Sequence, residues 1–177
     1  PGKYVVSIDE MVAKLRAARD AREDKNFVII ARTDAIWTHG LGEAVRRGRA
    51  FRDAGADLLM FHGVKTEEEI ARLVKEVKAP LVALNSETGT MPMVPVQRLQ
   101  ELGVAMVLFP TATLRRATHA MQQTLVEIRK AGTTKNLWGD TVLGLGLFDV
   151  VGIQRIRDME EKYGVLAPHK NKQDGAG

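Results

Sequence analysis

The sequence predicts an α/β fold built from repeated strand–helix units, and three observations carry that expectation. Four apolar runs begin near positions 27, 57, 80 and 104. A stretch of helical character follows each one, which is the βα repeat of a parallel sheet. Polar residues gather where these runs end, and that end is where parallel α/β folds place their chemistry. A closed (β/α)₈ barrel needs eight such units and roughly 250 residues. Here there are four units in 177 residues, with a helix before them and helices after. The chain therefore reads as the C-terminal half of a TIM barrel with extra C-terminal helices. The rival architecture is a small doubly wound open sheet.

Each element follows from local chemistry. Ser7-Ile8-Asp9-Glu10 is a capping box and predicts a helix from Ile8 to about Arg22. Met11, Val12, Leu15 and Ala18 form its apolar stripe. Phe27 to Arg32 is a strand, and its unbroken apolar run predicts burial on both faces. Ala35 to Gly40 is expected as a loop in which Trp37 and His39 do packing work. A helix from Leu41 to Ala54 closes at Gly55, a favourable residue just past a helix end. Asp57 to Phe61 is the second strand and runs into His62-Gly63. Thr66-Glu67-Glu68-Glu69 opens the next helix, with acids at its positive end. Leu81 to Leu84 is the third strand and ends at Asn85-Ser86-Glu87. A loop from Thr88 to Pro95 leads to a short helix from Val96 to Leu102. Val104 to Phe109 is the fourth strand, and a long helix capped by Thr111 or Thr113 runs to Lys130. Trp138 to Leu147 is expected as loop or short helix, Phe148 to Lys162 as one final helix, and residues 165–177 as a disordered polar tail.

Composition narrows the function. The apolar fraction of 45% and charged fraction of 27% are ordinary for a globular protein. No apolar run approaches the ~20 residues of a membrane span. There are no cysteines, which excludes disulfides, thiolate nucleophiles and cysteine-type zinc sites. The net charge of +4 is spread over mixed helix faces, as where Lys14, Arg16, Arg19 and Arg22 accompany Asp9, Glu10 and Asp20. Neither nucleic acid nor a membrane is an expected partner. A small anionic substrate is the better use of the excess charge. Pro1-Gly2-Lys3-Tyr4 has no basic segment leading into an apolar one, as a signal peptide would, so the expected location is cytoplasmic. No glycine-rich phosphate loop follows any strand.

Parallel strands would bring Arg32 with Asp34, His62, Asn85 with Glu87, and Arg115 to one rim. Guanidiniums bind carboxylate or phosphonate bidentately, and an imidazole can donate a hydrogen bond or move a proton. Each residue also has a plainer role. Arg32 and Asp34 can simply pair, His62 can be a satisfied core histidine, and Asn85 can shape a turn. Glu87 and Arg115 can be solvated charges. No His/Asp/Glu spacing makes a metal site on its own.

Ile29-Ile30-Ala31-Arg32-Thr33-Asp34-Ala35 resembles the isocitrate lyase/phosphoenolpyruvate mutase superfamily. The similarity continues through Ala54-Gly55-Ala56-Asp57, Leu84-Asn85-Ser86-Glu87 with Gly89, and Gly103 to Pro110. It spans about Pro1 to Gly164, which would form one barrel domain. The resemblance implies strands 5–8 of a (β/α)₈ barrel with Mg²⁺ at its rim. It implies cleavage or formation of C–C or P–C bonds beside a carboxylate, through an enolate-like species. It places the Mg²⁺ ligands and a mobile gating loop on an N-terminal half that precedes Pro1, so no metal ligand is expected in this chain. The 177 residues by themselves are expected to be inactive. Carried over residue by residue, Arg32 would grip a carboxylate or phosphonate, Asn85 would contact substrate and Arg115 would hold a distal carboxylate. Glu87 falls near a substrate-binding position. His62 stands where tricarboxylate lyases have glutamate and matches the phosphonopyruvate branch, whereas Asn85-Ser86-Glu87 matches the methylisocitrate type. Homo-oligomers, dimers or tetramers, that exchange a C-terminal helix are usual in the family; here that helix would be about residues 148–162.

The leading expectation is a Mg²⁺-dependent C–C lyase or decarboxylase of a small 2-hydroxy or 2-oxo di- or tricarboxylic acid. A phosphonopyruvate-type mutase or hydrolase is the enzymatic alternative. A non-catalytic half-barrel that binds or assembles with a partner is the alternative from another class.

Overall fold

Strands β1 (Ile30–Thr33), β2 (Leu58–Phe61), β3 (Leu81–Leu84) and β4 (Met106–Leu108) form one parallel sheet in the order β1-β2-β3-β4. The structure, a computed structural model, describes residues 4–87, 92–142 and 146–164. Every crossover between neighbouring strands contains a helix: α2 (Ala35–His39) and α3 (Leu41–Asp53), then α4 (Glu67–Val77), then α5 (Val96–Glu101). The order never reverses among the described strands, whereas a doubly wound sheet turns back at a switch point. Helix α1 (Ile8–Asp20) precedes the sheet, and α6 (Ala112–Ala131), a 3₁₀ turn (Lys135–Asp140), α7 (Gly146–Val150) and α8 (Ile153–Tyr163) follow it. The chain divides between Arg116 and Ala117 into two compact units, and the whole sheet lies in the first.

Register explains the two faces of that sheet. Arg32 lies opposite Met60, Val82 opposite Met106, and Leu84 opposite Leu108. Side chains alternate along a strand, so Ile30, Arg32, Met60 and Leu84 share one face, and Ala31, Thr33, Leu59 and Phe61 share the other. The second face is buried, packed with Phe51 of α3 and with Leu73 and Val77 of α4. Helix α3 approaches β2 closely at Gly48, where a side chain would meet the Phe61 ring. The first face is apolar but less covered; Ile30 is 38% exposed and Met106 37%.

Several expectations hold locally. The Ser7 hydroxyl accepts from the Glu10 N–H at 3.1 Å and starts α1. The Thr66 hydroxyl accepts from the Glu69 N–H at 3.2 Å, and the Glu69 carboxylate accepts from the Lys65 N–H at 2.6 Å. Others are corrected. Phe27 and Val28 are exposed rather than buried on both faces, because β1 begins only at Ile30. Asp24 holds the preceding turn by accepting from the Asn26 N–H. Ala35 to His39 is a helical turn rather than a loop. The expected final helix is two, α7 and α8, parted at Gly152 with φ of 72°. The expected tail at 165–177 and the first half of the Thr88–Pro95 loop, with Gly89, lie outside the described residues. Among the described residues no helix is long and apolar enough to cross a membrane.

Candidate active site

The carboxyl ends of β1 and β2 are tied together by the backbone, with the His62 N–H donating to the Thr33 carbonyl at 3.0 Å. This bond brings the residues just after each strand side by side. Asp34 follows β1, His62 follows β2, and a four-residue chain of contacts results. The Arg32 guanidinium donates to both oxygens of Asp34, at 2.8 and 3.2 Å. The Asp34 carboxylate lies 3.7 Å from Nδ1 of His62. The Trp37 indole N–H donates to the same Nδ1 at 3.0 Å. Thr33 is buried and its hydroxyl accepts from the Ala35 N–H at 3.2 Å, so the turn that carries Asp34 and Trp37 is fixed at its start.

Arg32 points from the less covered face of the sheet. A recess of about 360 Å³ lies beside it, lined by Tyr4, Val6, Met11, Arg32, Asp34 and Phe51 among others. Among its apolar side chains the wall carries two guanidiniums, Arg32 and Arg47, with the Asp34 carboxylate and Thr33, and a concave apolar site with a few polar groups is the usual form of a small-ligand pocket.

The carboxyl ends of β3 and β4 are joined in the same way, with the Asn85 N–H donating to the Leu108 carbonyl at 2.9 Å. Asn85 itself is buried. Its side-chain amide donates to the Val94 carbonyl at 2.7 Å, and its amide oxygen accepts from the Val94 N–H at 3.3 Å. The structure thus uses Asn85 to fasten the chain that returns to α5. Beyond it, Thr111 links the other two candidates. Its hydroxyl lies 3.5 Å from a Glu87 carboxylate oxygen and accepts from Nε of Arg115 at 3.0 Å.

The candidates thus form two clusters on one rim. Arg32 and His62 meet through Asp34, and Glu87 and Arg115 meet through Thr111, with Asn85 buried between the pairs of strands. Two participants were not foreseen as such. Trp37 was expected to pack a loop, yet it is a hydrogen-bond donor to His62. Thr111 was expected only as a helix cap. The available sequence signal for Trp37 was Gly63, whose φ of 99° and missing side chain make room for the indole ring.

Among the described residues no group of three or more His, Asp or Glu side chains is placed to hold a metal ion. These residues do not fit a Mg²⁺ site by themselves.

The family model for phosphoenolpyruvate phosphomutase matches residues 1–129. The 2,3-dimethylmalate lyase of Eubacterium barkeri is 36% identical over 163 residues, which is 92% of this chain and 56% of that protein. The 2-methylisocitrate lyase of Salmonella typhimurium is 39% identical over 137 residues, 77% of this chain and 46% of that one. The chain spans about half the length of these curated relatives. Among solved structures, oxaloacetate acetylhydrolase in complex with 3,3-difluorooxalacetate superposes with a TM-score of 0.81 at 34% identity, over 92% of this chain and 55% of that one. Phosphonopyruvate hydrolase in complex with oxalate and Mg²⁺ gives a TM-score of 0.76 at 32% identity, over 90% and 57% of the respective chains.

Proposed function

The chain belongs to the phosphoenolpyruvate mutase/isocitrate lyase superfamily, and from that premise we propose that it supplies the substrate-gripping half of a C–C lyase or decarboxylase. The substrate class is a small 2-hydroxy or 2-oxo di- or tricarboxylic acid. The observation that carries this reading is Arg32, a guanidinium oriented at the end of a parallel strand by Asp34 and linked through it to His62. A fixed fork of N–H donors suits a carboxylate. When the C–C bond breaks, its electron pair moves onto the fragment that becomes an enolate. A preorganised cation beside that fragment stabilises the growing negative charge. Arg115, held by Thr111, is the second cation of the rim and is proposed to take a distal carboxylate. Glu87 and Asn85 complete the proposed substrate-binding set.

The barrel itself is part of the proposal. The apolar face that carries Ile30, Met60 and Leu84 is the face a closed barrel would fill from within. We assign the remaining strands, and the ligands of a Mg²⁺ ion, to an N-terminal half outside these residues, and expect the 177-residue chain alone to be inactive. The exposed Leu147, Phe148 and Val150 of α7 support exchange of the segment 148–162 between copies in a homo-oligomer.

The test is titration with oxalate, a planar dianion that mimics pyruvate enolate, in the presence of Mg²⁺. The completed enzyme should bind it and the 177-residue chain should not. Absence of binding by the completed enzyme would sink the lyase reading.

A second reading is favoured by one observation, an imidazole rather than a carboxylate at position 62, just past β2 and linked to Arg32 through Asp34. A phosphonate-handling mutase or hydrolase would use that pair. Turnover of phosphonopyruvate against methylisocitrate, with and without His62→Glu, separates the two. Preference for phosphonopyruvate that His62→Glu abolishes would replace the lyase reading.

A further inference from the structure

Nδ1 of His62 has two neighbours that ask for opposite protonation states. The Trp37 indole nitrogen, 3.0 Å away, is a donor only and never an acceptor. Its bond therefore exists only while Nδ1 holds a lone pair. The Asp34 carboxylate, 3.7 Å away, would instead reward a proton on Nδ1. The indole sits at hydrogen-bond distance and the carboxylate beyond it. Asp34 is also engaged by both donors of Arg32, which reduces its pull on the ring.

We infer that Trp37 is a positioning residue that holds His62 neutral, with its proton on Nε2. In this state His62 is a hydrogen-bond donor through Nε2 and not a general base at that atom. The assignment of that donor to a substrate oxygen rests on the lyase reading above; the tautomer itself does not.

Three features show that the contact is built. The rings are 6.1 Å apart at 37°, a tilt that suits an edge hydrogen bond rather than stacking. Gly63, next to His62, has φ of 99°, and a Cβ there would run into the indole. Helix α2 carries Trp37 three residues after Asp34, and the Trp37 N–H donates to the Asp34 carbonyl at 3.1 Å, so both groups that approach Nδ1 come from one short turn. Among the described residues, the charged groups that face the ring include Asp34 and, through it, Arg32 on β1; β3 carries the uncharged Asn85 at its end.

The experiment is nitrogen-detected NMR of the imidazoles in the 177-residue chain, followed through a pH titration. The chain has four histidines, and His62→Gln identifies the signals of interest. The expected spectrum at neutral pH shows Nε2 protonated and Nδ1 bare. In Trp37→Phe, which keeps an aromatic side chain on α2 and removes the indole N–H together with the five-membered ring that carries it, Nδ1 becomes open to protonation beside Asp34. The protonated fraction near neutral pH should then rise about threefold to tenfold, the equivalent of one ordinary hydrogen bond. A proton on Nδ1 in the unaltered chain would overturn the assignment, with or without a folded variant. So would a folded Trp37→Phe chain whose titration midpoint stays in place. Oxalate binding is the separate readout for the lyase reading. If the tautomer is found and the completed enzyme ignores oxalate, the lyase role fails while the tautomer stands; the reverse pair of results overturns only the tautomer.

Discussion

Asp34 accepts two hydrogen bonds from Arg32, at 2.8 Å from Nε and 3.2 Å from Nη2, across a single intervening residue. The plain reading of this pair as a local salt bridge and the reading as a substrate clamp are compatible. A guanidinium has five N–H donors in a rigid fork, and Asp34 takes two of them. The pairing holds the fork in one orientation, which is what a clamp requires. About half of the Arg32 side chain is exposed, so its contribution to stability is small, below about 1 kcal/mol. In the completed enzyme Arg32→Ala should lower kcat/KM by about a thousandfold, the scale set by losing one strong charge stabiliser. Urea unfolding should barely move. Asp34→Asn keeps the cation and loosens it, so its loss should be smaller. Near-normal turnover in Arg32→Ala would remove this residue from the site.

Gly48 and Phe61 give a prediction in which two effects compete. Alanine in a helix interior is favoured over glycine by about 1 kcal/mol. On that ground alone Gly48→Ala would stabilise α3. Yet a Cβ at Gly48 would lie 2.6 Å from the tip of the Phe61 ring and 3.1 Å from a Val77 methyl. Phe61 and Val77 are both buried, so neither can move aside freely. Overpacking of this kind costs about 1–3 kcal/mol. The net expectation is destabilisation of about 1 kcal/mol, read as a lower urea midpoint at unchanged slope. A stabilised variant would mean that α3 can withdraw from the sheet.

These two relationships show what the sequence could and could not display. The parallel order of the strands was legible because each apolar run and its helix repeat with a regular spacing. The capping residues Ser7 and Thr66 were legible because a cap is a contact within one turn. Contacts between residues adjacent in space but distant in sequence were not. Nothing in the spacing of Trp37 and His62, 25 residues apart, announces a hydrogen bond. The burial of Asn85 against Val94 is equally silent, since an asparagine before a loop suits a turn as well. The start of β1 was misplaced for a related reason. Phe27 and Val28 have the character of strand residues, but β2 offers its first backbone partner only at Ile29, through Asp57.

Asp57 is the residue that fixes that start. Its carboxylate accepts from the Ile29 N–H at 2.8 Å and from Arg22 at 2.7 Å. The first bond replaces a ladder bond, and the second ties in the end of the segment after α1. Asp57→Ala leaves the Ile29 N–H without that acceptor and should cost about 1–3 kcal/mol. Arg22→Ala removes a partly exposed ion pair and an exposed hydrogen bond to the Phe27 carbonyl, and should cost less than about 1 kcal/mol. Urea denaturation of the two variants decides which contact matters. Equal losses would show that the ion pair, and not the backbone bond, holds β1 in register.

Glu43 supplies the pH dependence. Its carboxylate accepts from Arg46 at 2.7 and 3.0 Å and from Arg47 at 2.9 Å. The hydrogen bonds from Arg46 are the largest influence and hold its pKa below the ordinary glutamate value; burial opposes the shift, and Arg47 reinforces it. Arg47 is 6% exposed and also donates to the Val6 carbonyl at 2.7 Å, fastening the segment before α1 to α3. A carboxyl that titrates lower when folded binds protons more readily when unfolded. Its stabilisation is therefore complete above the unfolded pKa and disappears as the pH falls through the folded one. Glu43→Gln should cost about 1–2 kcal/mol at neutral pH, since a hydrogen-bonded charge next to a buried guanidinium is lost. Glu76, held down mainly by Arg72, has the same sign of effect, but it is common to both proteins and cancels in the difference. The gap between wild type and Glu43→Gln should thus narrow steadily as the pH is lowered below the ordinary glutamate range. Urea midpoints measured across that range test this directly. A gap that stays constant with pH would assign the role of Glu43 to its shape rather than its charge.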